Sequence, residues 1–97
     1  MIVYPVKVPA FSDSERVEFT VETENSVISF LCEWWDNLWH CTTTVDNADK
    51  RSCILYPGVV YYPQDRAYSF KTITTKSSIG LTDLSGLLLN VGVADGQ

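Results

Sequence analysis

Residues 26–46 read SVISFLCEWWDNLWHCTTTVD, two β-rich runs either side of the polar pair Asp36-Asn37, and this stretch decides the fold. A two-residue loop at Asp36-Asn37 and a four-residue loop from Trp35 to Leu38 give the same pairing: Trp34 opposite Trp39, Cys32 opposite Cys41 and Phe30 opposite Thr43. One face then carries Ile28, Phe30, Cys32 and Trp34 beside Trp39, Cys41, Thr43 and Val45, and that apolar row is the expected core. The other face carries Glu33 and Trp35 beside Leu38, His40 and Thr42. A three-residue loop would slip the register by one and set the apolar row against Leu38, His40 and Thr42, which a half-buried sheet penalises.

Outward from the hairpin the period stays near two. Val17, Phe19 and Val21 alternate with Glu18, Thr20 and Glu22, the pattern of a strand with one dry and one wet face. After the polar turn DNADK (46–50) comes CILYPGVVYYP (53–63), where Pro57-Gly58 divides two strands or bends one. YSFKTITTK (68–76) and GLLLNVGV (86–93) read as further strands. Helix finds its only starts at Ser12 to Arg16 and Leu81 to Leu88, both short and poorly capped. The expectation is a single all-β domain over residues 1–97, a small antiparallel barrel or sandwich of about six to eight short strands. Residues 1–12, with Pro5 and Pro9, form an extended N-terminal arm, and 94–97 a tail. Such ends either fray or add to a neighbour's sheet.

The chain has 97 residues, 45% of them hydrophobic and 20% charged, which suits one globular core and argues against disorder. A net charge of -5 argues against nucleic acid and anionic membranes as partners, because phosphate binding needs surplus Lys and Arg. No apolar run approaches the ~20 residues that span a bilayer, and the opening MIVYPVKVPA lacks the basic start of a signal peptide. The charges are segregated along the chain. Asp13 to Asp36 holds seven acids against Arg16, whereas Arg66 to Thr82 holds Arg66, Lys71 and Lys76 with no acid. Complementary regions of this kind steer head-to-tail contacts between copies, or else are separate solvated faces.

Little in the sequence points to catalysis. His40 is the one histidine, and its neighbour Cys41 lies on the opposite face of the same strand, so the two cannot act as nucleophile and base. Its cross-strand partner is Glu33, a surface contact. Cys32, Cys41 and Cys53 lack CxxC spacing, His40 faces away from the first two, and the expected role of the thiols is that of small buried hydrophobes, reduced in a cytoplasm. Phosphate-binding, dinucleotide and serine-hydrolase motifs are missing. The reading is therefore a non-enzymatic chain with no cofactor and no metal. Trp35, Tyr61 and Tyr62 are the candidate protruding aromatics, and with Arg66, Lys71 and Lys76 they make up the candidate interface.

Several segments taken together resemble a family of small phage proteins, the baseplate plug proteins of contractile-tailed phages described for a cyanophage. These are the strand VEFTVE, the Trp-rich turn FLCEWWDN, the return strand LWHCTTTVD, the segment ILYPGVVYYP and the Leu-rich close SGLLLNV, together spanning Val17 to Val93. The turns at Glu24-Asn25 and DNADK lack the glycine found in family members, and the N-terminal arm has no counterpart. The resemblance implies a virion component without enzymatic activity, made in the host cytoplasm. It would be present in several copies near the tail axis, among hub, spike and tube proteins. A different class of reading is a small β-barrel binding module, either a host-factor inhibitor or an oligonucleotide binder that stacks bases on exposed aromatics.

Overall fold

The computed structural model describes residues 2–11, 14–24, 26–48, 50–63 and 67–94. Seven strands follow one another: β1 (Ile2–Lys7), β2 (Arg16–Glu22), β3 (Val27–Trp35), β4 (Leu38–Val45), β5 (Arg51–Ile54), β6 (Tyr68–Ile73) and β7 (Leu88–Val93). Among the described residues there is no helix. The strands form two antiparallel sheets, one in the order β2-β3-β4-β5 and the other β1-β7-β6. Their apolar faces meet in a sandwich.

The central hairpin has the register expected from its alternation, with Trp34 opposite Trp39, Cys32 opposite Cys41 and Phe30 opposite Thr43. Asp36 and Asn37 make the turn with φ of 54° and 59°. Two consecutive left-handed residues match the right-handed twist of the flanking strands, and Asp and Asn are the non-glycine residues that best tolerate that region. Asp46 and Asn47 repeat the device after β4, with φ of 51° and 61°. The polar turns thus do without glycine.

The inner face of the four-stranded sheet supplies Val17, Val21, Ile28, Phe30, Cys32, Trp39, Cys41 and Val45 to the core. Phe70, Leu89 and Val91 come from the other sheet, and Phe30 meets Phe70 edge to face with ring centroids 5.1 Å apart. That geometry adds about 0.5–1.5 kcal/mol beyond the area buried. Ser26 and Tyr68 join their hydroxyls at 2.6 Å, a second tie between the sheets.

The N-terminal segment is extended, and it docks on its own chain. Strand β1 pairs along its whole length with β7, from Ile2 opposite Val93 to Lys7 opposite Leu88. Pro5, which has no N–H to offer, sits on this edge strand, where a ladder donor is dispensable. Beyond β1, Val8 is buried at 1% exposure and exchanges backbone bonds with Leu87 and Gly86, so here the arm neither frays nor adds to a neighbour's sheet. Phe11 continues inward, edge to face with Trp39. At the other end Ala94 donates to the Ala67 carbonyl at 2.8 Å, and residues 95–97 lie outside the described residues.

The segment CILYPGVVYYP resolves into β5, a turn with Gly58 at φ 72°, and a single bridge between Tyr61 and Phe70. The Tyr61 hydroxyl donates to the Ile54 carbonyl and accepts from the Tyr56 N–H at 2.8 Å. One tyrosine thereby ties the edge of one sheet to the edge of the other.

Candidate functional site

Side chains alternate across a strand, so each sheet of a sandwich turns every second residue outward. The outer face of the three-stranded sheet is made by Val3, Pro5 and Lys7 of β1, Ser69, Lys71 and Ile73 of β6, and Leu88, Asn90 and Gly92 of β7. It carries two lysines and no acid. The outer face of the four-stranded sheet carries Glu18, Glu22 and Glu33 against Arg16, which is paired with Glu18 at 2.8 Å, and Lys50. Glu18, Glu22 and Glu33 of the acidic segment and Lys71 of the basic one are therefore on opposite broad faces of one molecule.

Each face has a shallow depression. On the basic face a groove of about 360 Å³ runs between Val3, Val60, Tyr62, Lys71, Asn90 and Gly92. Gly92, itself buried, lies at its floor, and Val3, Val60 and Tyr62 wall it with exposed surface. On the acidic face a depression of about 430 Å³ lies over Leu31, rimmed by Glu18, Thr20, Thr42, Thr44 and Lys50. The first depression has Lys71 as its charged group and the second has both Glu18 and Lys50, and apolar floors with charged rims suit packing against a protein neighbour.

Of the candidate interface residues, Tyr62 and Lys71 share the groove on the basic face. Trp35 lies on the other face at the tip of the central hairpin, 58% exposed. Tyr61 does not protrude: its ring stacks on Phe70 at 5.1 Å and its hydroxyl is engaged inside the chain. Burial raises its pKa, against the lowering effect of the Tyr56 N–H. Lys76 is held by Asp83 in an ion pair in the loop between β6 and β7. Arg66 lies outside the described residues. Val3, Val60 and Gly92 were not among the candidates. They reach the groove from three distant segments, a meeting that no local pattern announces.

His40 stands opposite Glu33, as the register requires, but its ring is stacked on Trp35 with centroids 3.5 Å apart and planes 4° from parallel. Its Nε2–H donates to the Trp35 carbonyl at 3.2 Å. The stack makes a flat platform beside a shallow dip that Cys53 also borders. The sulfur of Cys53 is turned to the inner face, where it hydrogen-bonds Cys41, so imidazole and thiol are on opposite sides of the sheet. Among the described residues no three His, Cys, Asp or Glu side chains converge as metal ligands.

The three thiols form a row across β3, β4 and β5. Hydrogen bonds to Cys32 and then Cys53, followed by burial, hold the Cys41 thiol well above the usual range. The hydrogen bond from Cys41 lowers that of Cys53, against a smaller opposing effect of burial. No family model, curated protein or solved structure matches the chain.

Proposed function

We propose that the chain is a structural subunit of a phage tail baseplate, a plug-like component packing in several copies near the tail axis among hub, spike and tube proteins. It acts without catalysis, by burying its broad faces against neighbours until the baseplate rearranges. The observation that carries this reading is the opposite charge of the two outer sheet faces, each with an apolar depression at its centre. Unlike faces on the two sides of one subunit favour heterologous contacts, and such contacts close into rings or stack into columns. The resemblance of VEFTVE, FLCEWWDN, ILYPGVVYYP and SGLLLNV to the plug family supplies the setting. The test is mass spectrometry of purified particles of the phage that encodes the chain. Its peptides are expected in the baseplate fraction, and their absence there, with the chain present in infected cells, would remove the reading.

The exposed Trp35 platform favours a second reading, a small module that binds a host factor or stacks the bases of a single strand. Three glutamates on the same face oppose the nucleic-acid version. A titration with single-stranded oligonucleotides separates the two: a strand binder gives a steep salt slope, a baseplate subunit gives no binding.

A further inference from the structure

We propose that Cys53, Cys41 and Cys32 form a thiol relay by which a hydroperoxide, reacting at Cys53, leaves a disulfide between Cys32 and Cys41 inside the central hairpin. The site is independent of the assembly role.

Geometry orders the three sulfurs. Cys32 and Cys41 are directly opposite each other, both 1% exposed, with sulfurs 3.7 Å apart. The bond from Asp46 N–H to the Val27 carbonyl fixes the phase of the β3–β4 ladder, and counting in twos from it makes Cys32/Cys41 a non-hydrogen-bonded pair. Cα atoms in such pairs are about 4.5 Å apart with side chains close, inside the window a disulfide tolerates. The bond from Leu55 N–H to the Trp39 carbonyl likewise makes Cys41/Cys53 a hydrogen-bonded pair, the wider kind. Both spacings lie inside the disulfide window, and Cys32 and Cys41 already hold their sulfurs in contact.

Access orders them the same way. Cys53 is half-buried on the edge strand β5 and borders a crevice with Arg51, Tyr61 and Tyr62. Reactive thiols belong in partly exposed, electropositive surroundings, and the hydrogen bond from Cys41 favours the Cys53 thiolate. The other two sulfurs have no such opening. Arranged as metal ligands they would have to converge; in a line they can only pass a bond along.

The chemistry balances. The Cys53 thiolate attacks one oxygen of R–OOH, the O–O bond breaks, and Cys53–SOH and R–OH form once a proton is taken up. The Cys41 sulfur attacks Cys53–SOH, releasing water and forming the 41–53 disulfide. Cys32 attacks the Cys41 sulfur, and Cys53 departs as thiolate, the better leaving group because its pKa is the lower. In sum two thiols are oxidised, one hydroperoxide is reduced, and Cys53 is regenerated.

The test treats the full chain with hydrogen peroxide, then counts thiols and maps peptides without reduction. Titratable thiols are expected to fall from three to one, with Cys32 joined to Cys41 in the monomer. Cys53→Ser slows the oxidation by about tenfold or more, and Cys32→Ser stops it at a 41–53 disulfide. Three persistent thiols at peroxide levels that oxidise free N-acetylcysteine would overturn the proposal. So would wild-type oxidation rates in Cys53→Ser, or disulfides found only between molecules. Circular dichroism of each variant establishes that it is folded before its rate is read.

Discussion

The indole N–H of Trp39 donates to the carbonyl of Gly80 at 3.0 Å, tying the middle of the four-stranded sheet to the loop that carries the chain into β7. Trp39 has no exposed surface, so without its N–H the Gly80 carbonyl would keep only its bond from the Asp83 backbone. Trp39→Phe keeps an aromatic ring but loses the bond and some volume, and is expected to cost about 1–3 kcal/mol. Urea denaturation checks this: the midpoint falls with the slope unchanged.

The same loop gives stability an acid limb. Asp83 accepts from the Gly80 N–H at 2.7 Å and pairs with Lys76, and these contacts, Lys76 first, hold its carboxyl below the usual range. A carboxyl whose pKa is lower folded than unfolded adds stability above its unfolded value, about 3.9, and loses it as pH falls through the folded value. Asp83→Asn is expected to be less stable than wild type at pH 7, with the gap closing as the pH drops below about 4. Urea midpoints of both proteins across that range measure it, and a gap that stays constant contradicts it.

At the hairpin tip the left-handed conformation of Asn37 decides the outcome of substitution. Asn37→Ala places a less tolerant residue at φ 59° and is expected to destabilise by about 1 kcal/mol, whereas Asn37→Gly is neutral or stabilising. Equal thermal midpoints for the two variants would show that the turn does not govern hairpin stability.

The sequence made the central hairpin legible because burial and alternation point to the same register. Residues 28, 30, 32 and 34 are apolar together, and only an even loop keeps them facing Trp39, Cys41, Thr43 and Val45. Strand β1 was less so. Its partner β7 lies at the far end of the chain, and IVYPVK, broken by proline, has nothing local to name that partner. Tyr61 looked like a protruding aromatic because a tyrosine in a Tyr-Tyr pair is ambiguous until a partner for its hydroxyl is known, and here the partners are backbone groups of Ile54 and Tyr56. The charge segregation was visible as a sequence asymmetry. That Glu18, Glu22 and Glu33 fall on the face opposite Lys71 follows only from the order of strands in each sheet.

Those faces set the salt response of the purified chain. At low ionic strength it is expected to form concentration-dependent oligomers in sedimentation velocity, shifting toward monomer as salt shortens the reach of the charges to about 3–10 Å. Lys71→Glu, which reverses a charge in the groove of the basic face, is expected to remain monomeric throughout. A wild-type chain that is monomeric at every salt concentration contradicts contact between copies.

Zero-length carbodiimide coupling in intact tail particles reads the packing directly, because it joins only amines and carboxyls already in contact. Lys7 and Lys71 lie on one broad face and Glu18, Glu22 and Glu33 on the other, across a molecule whose shortest extent is 20 Å. A link between the two sets must therefore join separate copies. The expected product is an isopeptide from Lys71 or Lys7 to one of the three glutamates; particles lacking the chain, or containing it with neither lysine linked to any neighbouring protein, would contradict an assembled subunit with two working faces.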